Sequence, residues 1–132
     1  MRLSIVVLAA LLLATPASAK PFALALSDAA LERTRHAVVY DARYQIIAYP
    51  GGDVAPDRGV CADEIIRAYR SLGVDLQRLV HEDMLRSFAS YPRQWGLSRP
   101  DANIDHRRVP NLERFFERHG TTLPVSARAE DY

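Results

Sequence analysis

Residues 59–73, Gly-Val-Cys-Ala-Asp-Glu-Ile-Ile-Arg-Ala-Tyr-Arg-Ser-Leu-Gly, are the stretch of sequence that decides the fold. Apolar side chains recur in it at helical spacing and share one stripe, which consists of Ala62, Ile65, Ile66, Tyr69 and Leu72. Gly73 is well placed to be the left-handed residue that follows the last turn. The pattern therefore predicts an amphipathic helix that carries Cys61 in its first turn.

A second amphipathic helix is predicted to start at about Asp75. Its expected buried face consists of Leu76, Leu79, Val80, Met84 and Phe88. Residues 90–110 follow neither the helical nor the strand period, and a loop of that length usually carries a function or binds a partner. Asn111 is expected to cap a last short helix, with Gly120 as its stop.

Upstream of Cys61 the signals are shorter. Asp28 is a candidate cap for a short helix that ends near His36. Residues 38–40 and 44–49 are rich in β-favouring side chains and predict two strands. With no internal repeat, the order of elements predicts one α+β domain that is poor in strands.

Residues 1–19 have the pattern of a secretory signal peptide. A basic start precedes an apolar run over residues 3–13, and Ala17-Ser18-Ala19 supplies a small-x-small cleavage site before Lys20. The run is too short for a membrane span, and no cysteine follows the cleavage site to receive a lipid. We therefore expect a periplasmic or secreted protein of residues 20–132, with no stable membrane anchor after signal removal.

The charge balance excludes some partners. The whole chain has a formal net charge of +1 at pH 7, and loss of Arg2 with the signal leaves basic and acidic side chains in balance. Such a chain lacks the basic footprint of a nucleic-acid-binding protein.

The sequence contains no phosphate loop, dinucleotide fingerprint, serine elbow or multi-cysteine metal site, so neither a cofactor nor a metal is expected.

Cys61 is the chain's one cysteine and its most informative residue. A thiol at a helix N-terminus lies near unpaired backbone donors that favour the thiolate, as a cysteine nucleophile requires. The alternative is a small buried hydrophobic residue with no chemical role. Asp63 and Glu64 are expected to stabilise the first turn, with Asp63 paired to Arg67, although their charge opposes a nearby thiolate.

A cysteine nucleophile also needs a base, which is usually a histidine. His81 lies on the predicted second helix, where an ordinary helix-face position is the simpler interpretation. In Asn103-Ile104-Asp105-His106-Arg107-Arg108, the carboxylate could orient the His106 ring and the arginines could bind an anion; the alternative is a solvated charged turn. Trp95, with Tyr49 and Tyr91, could line a groove for a sugar or peptide, or could serve packing alone. Nothing in the spacing places a histidine beside Cys61.

Several ordered motifs resemble one bacterial family. They are YD (40–41), GDVAPDRGVCAD (52–63), DLQRLVHEDM (75–84), YP (91–92), WGL (95–97) and NIDHRRVPNL (103–112). Together they resemble the domain of unknown function 1287, over residues 36–120. Its members are exported proteins. They look like distant relatives of the papain-like and NlpC-like cell-wall hydrolases and amidases.

The resemblance implies the helix-rich N-terminal part of a papain-like cysteine hydrolase fold, with Cys61 as nucleophile and peptidoglycan or another envelope peptide as substrate. In such folds a later sheet bears the histidine, and no histidine follows His119 here. We therefore expect a member that lacks the C-terminal sheet and is inactive, marginally folded or dependent on a partner. The alternative function is a non-catalytic periplasmic module whose loop 90–110 binds a peptide, glycan or protein.

Overall fold

The computed structural model describes residues 20–131, and helices account for most of its regular structure. Four α-helices follow one another along the chain: α1 (Phe22–Arg33), α2 (Cys61–Ser71), α3 (Leu76–Ser87) and α4 (Val109–His119). Three short 3₁₀ turns lie at Phe88–Ser90, Asp105–Arg107 and Ala129–Asp131. None of the helices in the described range is long and apolar enough to cross a membrane. The predicted signal peptide lies outside the described residues.

The sheet within residues 20–131 has two strands, β1 (Val39–Tyr40) and β2 (Arg58–Gly59), paired in parallel. Val39 lies opposite Arg58, and Tyr40 lies opposite Gly59. A helix-rich chain with this small sheet is compatible with the predicted α+β class. The strand predicted at residues 38–40 is present in shortened form, and its partner is β2.

The strand predicted at residues 44–49 is wrong, because that segment is irregular. Its backbone finds partners in side chains. The Ile47 N–H donates to Asn103 Oδ1 at 3.0 Å, and the Ala48 carbonyl accepts from Gln77 Nε2 at 2.9 Å. Ile46 is largely exposed, so the β-favouring composition does not correspond to a buried face.

Two predicted helix starts are also wrong. α1 begins at Phe22, so Asp28 lies inside the helix and does not cap it. α4 begins at Val109 with Pro110 in its first turn, and Asn111 is a buried residue of that helix. The Asn111 side chain donates to the Asp105 carbonyl at 3.0 Å, so it anchors the preceding 3₁₀ turn instead of capping α4.

The start of α3 and the end of α2 agree with prediction. Asp75 caps α3 by accepting from the Arg78 N–H at 3.2 Å. Gly73 follows the end of α2 with φ of +81°, the left-handed conformation that glycine adopts without strain. Gly120 ends α4 as expected, although in an extended conformation.

The hydrophobic core lies between α2, α3 and α4. Its buried members are Ala62, Ile66, Leu76, Val80, Met84, Tyr91, Leu112 and Phe115. The incomplete cover expected for the stripe of α2 is seen at Ile65, which is 42% exposed on the side of α1. The other stripe residues are buried or half-buried, because helices take the place of the expected sheet.

Gln77 connects two irregular segments to α3. Its side chain is fully buried and accepts from the Gly52 N–H at 2.8 Å. It also donates to the carbonyls of Ala48 and Ala102, at 2.9 and 3.1 Å. A Cβ on Gly52 would lie 1.9 Å from the Ala48 carbonyl oxygen, so this turn requires glycine. One side chain therefore replaces the backbone ladder that a sheet would supply.

We predict that Gln77→Leu lowers the free energy of unfolding by about 2 to 4 kcal/mol, because it leaves three backbone groups without their partner. Urea denaturation followed by circular dichroism measures the change. Gln94→Leu is the matched control: Gln94 is exposed, so this variant should change stability by less than about 0.5 kcal/mol. Equal stability of the two variants would contradict the role given to Gln77.

Candidate functional site

Cys61 is the first residue of α2, and its thiol is free and exposed. The interpretation of Cys61 as a buried hydrophobic residue is therefore wrong. The thiol lies in the wall of a cavity of about 470 Å³, to which Tyr40, Tyr44 and Trp95 contribute aromatic surface. The predicted place of Cys61 in the first turn of a helix is confirmed, and it opens onto a space large enough for a ligand.

Asp63 fixes the start of α2 directly behind Cys61. Its carboxylate accepts from the Val60 N–H at 2.6 Å, which satisfies a backbone donor at the helix start. The same carboxylate accepts from Arg107 Nε at 2.8 Å and Arg107 Nη2 at 3.0 Å. Gly59 passes close by with φ of +152°, and a Cβ there would lie 2.7 Å from Asp63 Oδ2. The turn into α2 therefore requires both a glycine and this ion pair.

The predicted pairing of Asp63 with Arg67 is wrong. Arg67 bonds instead to Asp53 and Glu64, at 3.0 and 2.8 Å. Burial raises the pKa of Glu64, but hydrogen bonds from Arg33 and Arg67 outweigh it and hold that pKa below its usual value. Both carboxylates of the first turn are thus paired with arginines, which reduces the repulsion that they were expected to exert on a thiolate.

We predict that Asp63→Asn lowers the free energy of unfolding by about 3 to 5 kcal/mol, because it leaves the Arg107 guanidinium buried without its counterion. Glu64→Gln is the adjacent control, and it should cost about 1 kcal/mol because its ion pairs are only partly buried. Chemical denaturation of both variants gives the comparison. A loss at Asp63 no larger than the loss at Glu64 would contradict the proposed anchoring role.

His81 is not among the residues that line the Cys61 cavity. It lines a different cavity, of about 570 Å³, together with Leu85, Leu97 and Arg99. Its ring meets the edge of Tyr49, with centroids 5.1 Å apart. The structure therefore does not bring His81 to the thiol.

The two terminal histidines are engaged elsewhere. His36 follows α1 with Nε2 3.9 Å from Glu32 Oε1, and His119 ends α4 with Nε2 3.2 Å from Asp83 Oδ1. Among residues 20–131, no histidine lines the Cys61 cavity.

His106 is buried in the 3₁₀ turn Asp105–Arg107, and its Nδ1 has no hydrogen-bond partner within the described part of the chain. The expected Asp105–His106 contact is not formed, because Asp105 accepts from the Asp101 N–H and from Arg108. Burial lowers the pKa of His106 to about 4, since a charged ring would lose its hydration. His106 is therefore a neutral interior residue and not a base that faces the cavity.

This burial predicts a loss of stability in mild acid. The folded pKa of about 4 lies below the ordinary value of 6.5, so the unfolded chain takes up a proton first as the pH falls. Above the pKa that His106 has in the unfolded chain, the ring is neutral in both states and the fold keeps its full stability. As the pH falls from that value towards the pKa of His106 in the folded chain, this stability is lost. We expect a decrease of roughly 2 kcal/mol between about pH 7 and pH 5.

Denaturation curves at a series of pH values check this expectation. His106→Gln should remove the pH dependence in that range whatever its own stability, and His36→Gln at an exposed site should retain it. An unchanged slope in His106→Gln would contradict the assignment.

Of the three aromatic residues expected to line a groove, only Trp95 lies at the Cys61 cavity. Trp95 lines the cavity, and the Arg108 guanidinium lies over its ring at 4.2 Å. Tyr91 does not line a groove: it is buried and its hydroxyl donates to Asp83 at 2.6 Å. Tyr49 contacts His81 and is absent from the Cys61 cavity.

Two aromatic cavity residues, Tyr40 and Tyr44, were not expected from the sequence, whereas Arg108 belongs to the pair of arginines expected to bind an anion. Tyr40 falls within the family-like motif at 40–41, which was the available signal for it. Tyr44 was assigned to a strand. It also lines the His81 cavity, and its hydroxyl bonds to Asp101 and Asn103 at 3.0 and 3.1 Å.

The domain of unknown function DUF1287 matches residues 27–132. The chain belongs to this family. It is also 56% identical over 109 residues to the uncharacterized protein YijF of Escherichia coli strain K12. That alignment covers 83% of this chain and 53% of YijF, so the chain spans about half the length of this curated relative. No solved structure matches the chain.

Proposed function

We propose that this chain supplies the nucleophile of a cysteine amidase or peptidase that acts on peptides of the cell envelope. The observation that carries the proposal is the exposed Cys61 thiol at the start of α2, in the wall of a cavity with aromatic sides. The first N–H groups of an α-helix have no acceptor within the helix, so they favour a thiolate and the oxyanion that forms when it attacks an amide. The papain-like fold and the envelope location are also parts of this proposal. The envelope location rests on the sequence of residues 1–19.

The proposed reaction needs a base that residues 20–131 do not bring to the thiol. His106 is buried and neutral, and His81 lines another cavity. The base would come from a segment outside the described residues, and YijF has about as much length again beyond the alignment. Residues 20–131 are therefore proposed to bind and hold the nucleophile without completing turnover.

The test uses Cys61 labelling, which needs no base for turnover. We predict that iodoacetamide modifies Cys61 faster in the native chain than in urea, because the thiol is exposed and lies beside the unpaired N–H groups of the helix start. Intact mass spectrometry gives both rates, and Cys61→Ser should remain unmodified. A native rate at or below the unfolded rate would contradict the nucleophile assignment and would favour the alternative, a non-catalytic binding module.

A second measurement addresses the substrate class. A vinyl sulfone attached to a cell-wall-type peptide should modify Cys61 at least about tenfold faster than methyl vinyl sulfone does, because the cavity adds binding to the same chemistry. In both reactions the sulfur adds to the terminal vinyl carbon, and water supplies the proton to the neighbouring carbon. Equal rates for the two reagents would remove the support for a peptide substrate.

A further inference from the structure

The charge of the Cys61 cavity has one sign. Of the described residues that line it, the charged ones are Arg107 and Arg108, and no carboxylate side chain lines it. The remaining wall is aromatic or aliphatic. A ligand that fills this space therefore meets positive charge beside apolar surface.

Arg107 is nearly buried, and only two of its three guanidinium nitrogens bond to Asp63. Its side chain is only 2% exposed, and it pairs with Asp63 through Nε and Nη2. These two atoms form one edge of the planar guanidinium, so the N–H groups of Nη1 point away from Asp63. Nη1 is buried and has no hydrogen-bond partner among residues 20–131. A ligand that brought an acceptor oxygen to this guanidinium would satisfy that donor.

Arg108 supplies the second cation. Its guanidinium is held over the Trp95 ring at 4.2 Å, and a contact of 3.2 Å joins it to Asp105. Asp105 is itself buried, accepts also from the Asp101 N–H, and does not line the cavity. Stacking on Trp95 and the ion pair with Asp105 together hold the Arg108 guanidinium at the cavity wall.

We infer that the cavity binds a carboxylate next to the amide that Cys61 attacks, with Arg107 Nη1 and Arg108 as the anion subsite. The inference rests on the proposed nucleophile role of Cys61 and narrows its substrate class to acidic peptides. Guanidinium groups recognise carboxylates through paired donors, and the surrounding apolar wall strengthens that attraction. The carboxylate is either an acidic side chain or a free C-terminus, since both present the same two oxygens.

Two reagents that differ in charge alone test the subsite. Iodoacetate and iodoacetamide both lose iodide as the Cys61 sulfur bonds to their methylene carbon, but iodoacetate carries a carboxylate. The ratio of their rates cancels the thiolate fraction. We expect this ratio to be about fivefold higher in the native chain than in urea. The iodoacetamide rate alone reports the nucleophile role, so failure of that role and failure of the subsite are separate results.

Variants assign the effect to the two arginines. Arg108→Gln should lower the native ratio to the value in urea, and Arg107→Gln should do the same if it folds. Arg107→Lys retains the charge but loses the paired donors, and it should retain only part of the increase. Arg86→Gln, an exposed arginine of α3 outside the cavity, is the control and should leave the ratio unchanged. A native ratio equal to that in urea, or one that Arg108→Gln does not lower, would overturn the inference.

Protection experiments distinguish the two sources of carboxylate. One dipeptide has a free C-terminus and no acidic side chain, and the other has a glutamate side chain and an amidated C-terminus. Whichever dipeptide slows the reaction of Cys61 with iodoacetamide, compared with a fully amidated neutral dipeptide, identifies the carboxylate that is bound. If neither acidic dipeptide protects better than the neutral one, the inference is wrong.

Discussion

The ion pair between Asp63 and Arg107 is the interaction on which the arrangement of this chain depends. It joins residues 44 positions apart, and both side chains are almost completely buried. One partner satisfies the backbone at the start of α2, and the other lies in the turn that leads into α4. The pair therefore fixes the position of the thiol relative to the opposite wall of its cavity. In a chain with only a two-residue ladder among its described residues, such side-chain links replace the cohesion that a sheet would provide.

Local sequence patterns were sufficient for α2 and α3, because their apolar spacing, the cap at Asp75 and the left-handed Gly73 are all properties of neighbouring residues. They were not sufficient for residues 44–49. The partners of that backbone are Gln77 and Asn103, which lie more than twenty residues away in sequence. β-favouring composition could not reveal that these distant amide side chains would satisfy those groups. The same limit explains Asn111, whose side chain does not cap α4 but makes a buried hydrogen bond from that helix to the preceding 3₁₀ turn.

The candidate site was likewise predictable from the sequence only in part. The helix-start position of Cys61 could be predicted because a capping turn and an amphipathic stripe define it locally. The roles of Arg107 and His106 could not, since each depends on which side of a three-residue turn faces the core. Arg107 reaches both Asp63 and the cavity, whereas the neighbouring ring is enclosed and neutral. The charge-rich sequence left two alternatives open, an anion-binding segment and a solvated charged turn, but folding buries Asp105, His106 and Arg107.

Trp95 gives the molecule an optical property of its own. It is the chain's one tryptophan, it is 38% exposed, and a cation lies against its face in the wall of the Cys61 cavity. Indole emission is sensitive to a nearby charge and to the removal of water. Light absorbed at the red edge of the protein spectrum therefore excites one fluorophore, and that fluorophore lies in the cavity wall. The intrinsic fluorescence of this chain is a local signal of the state of its cavity, with no label attached.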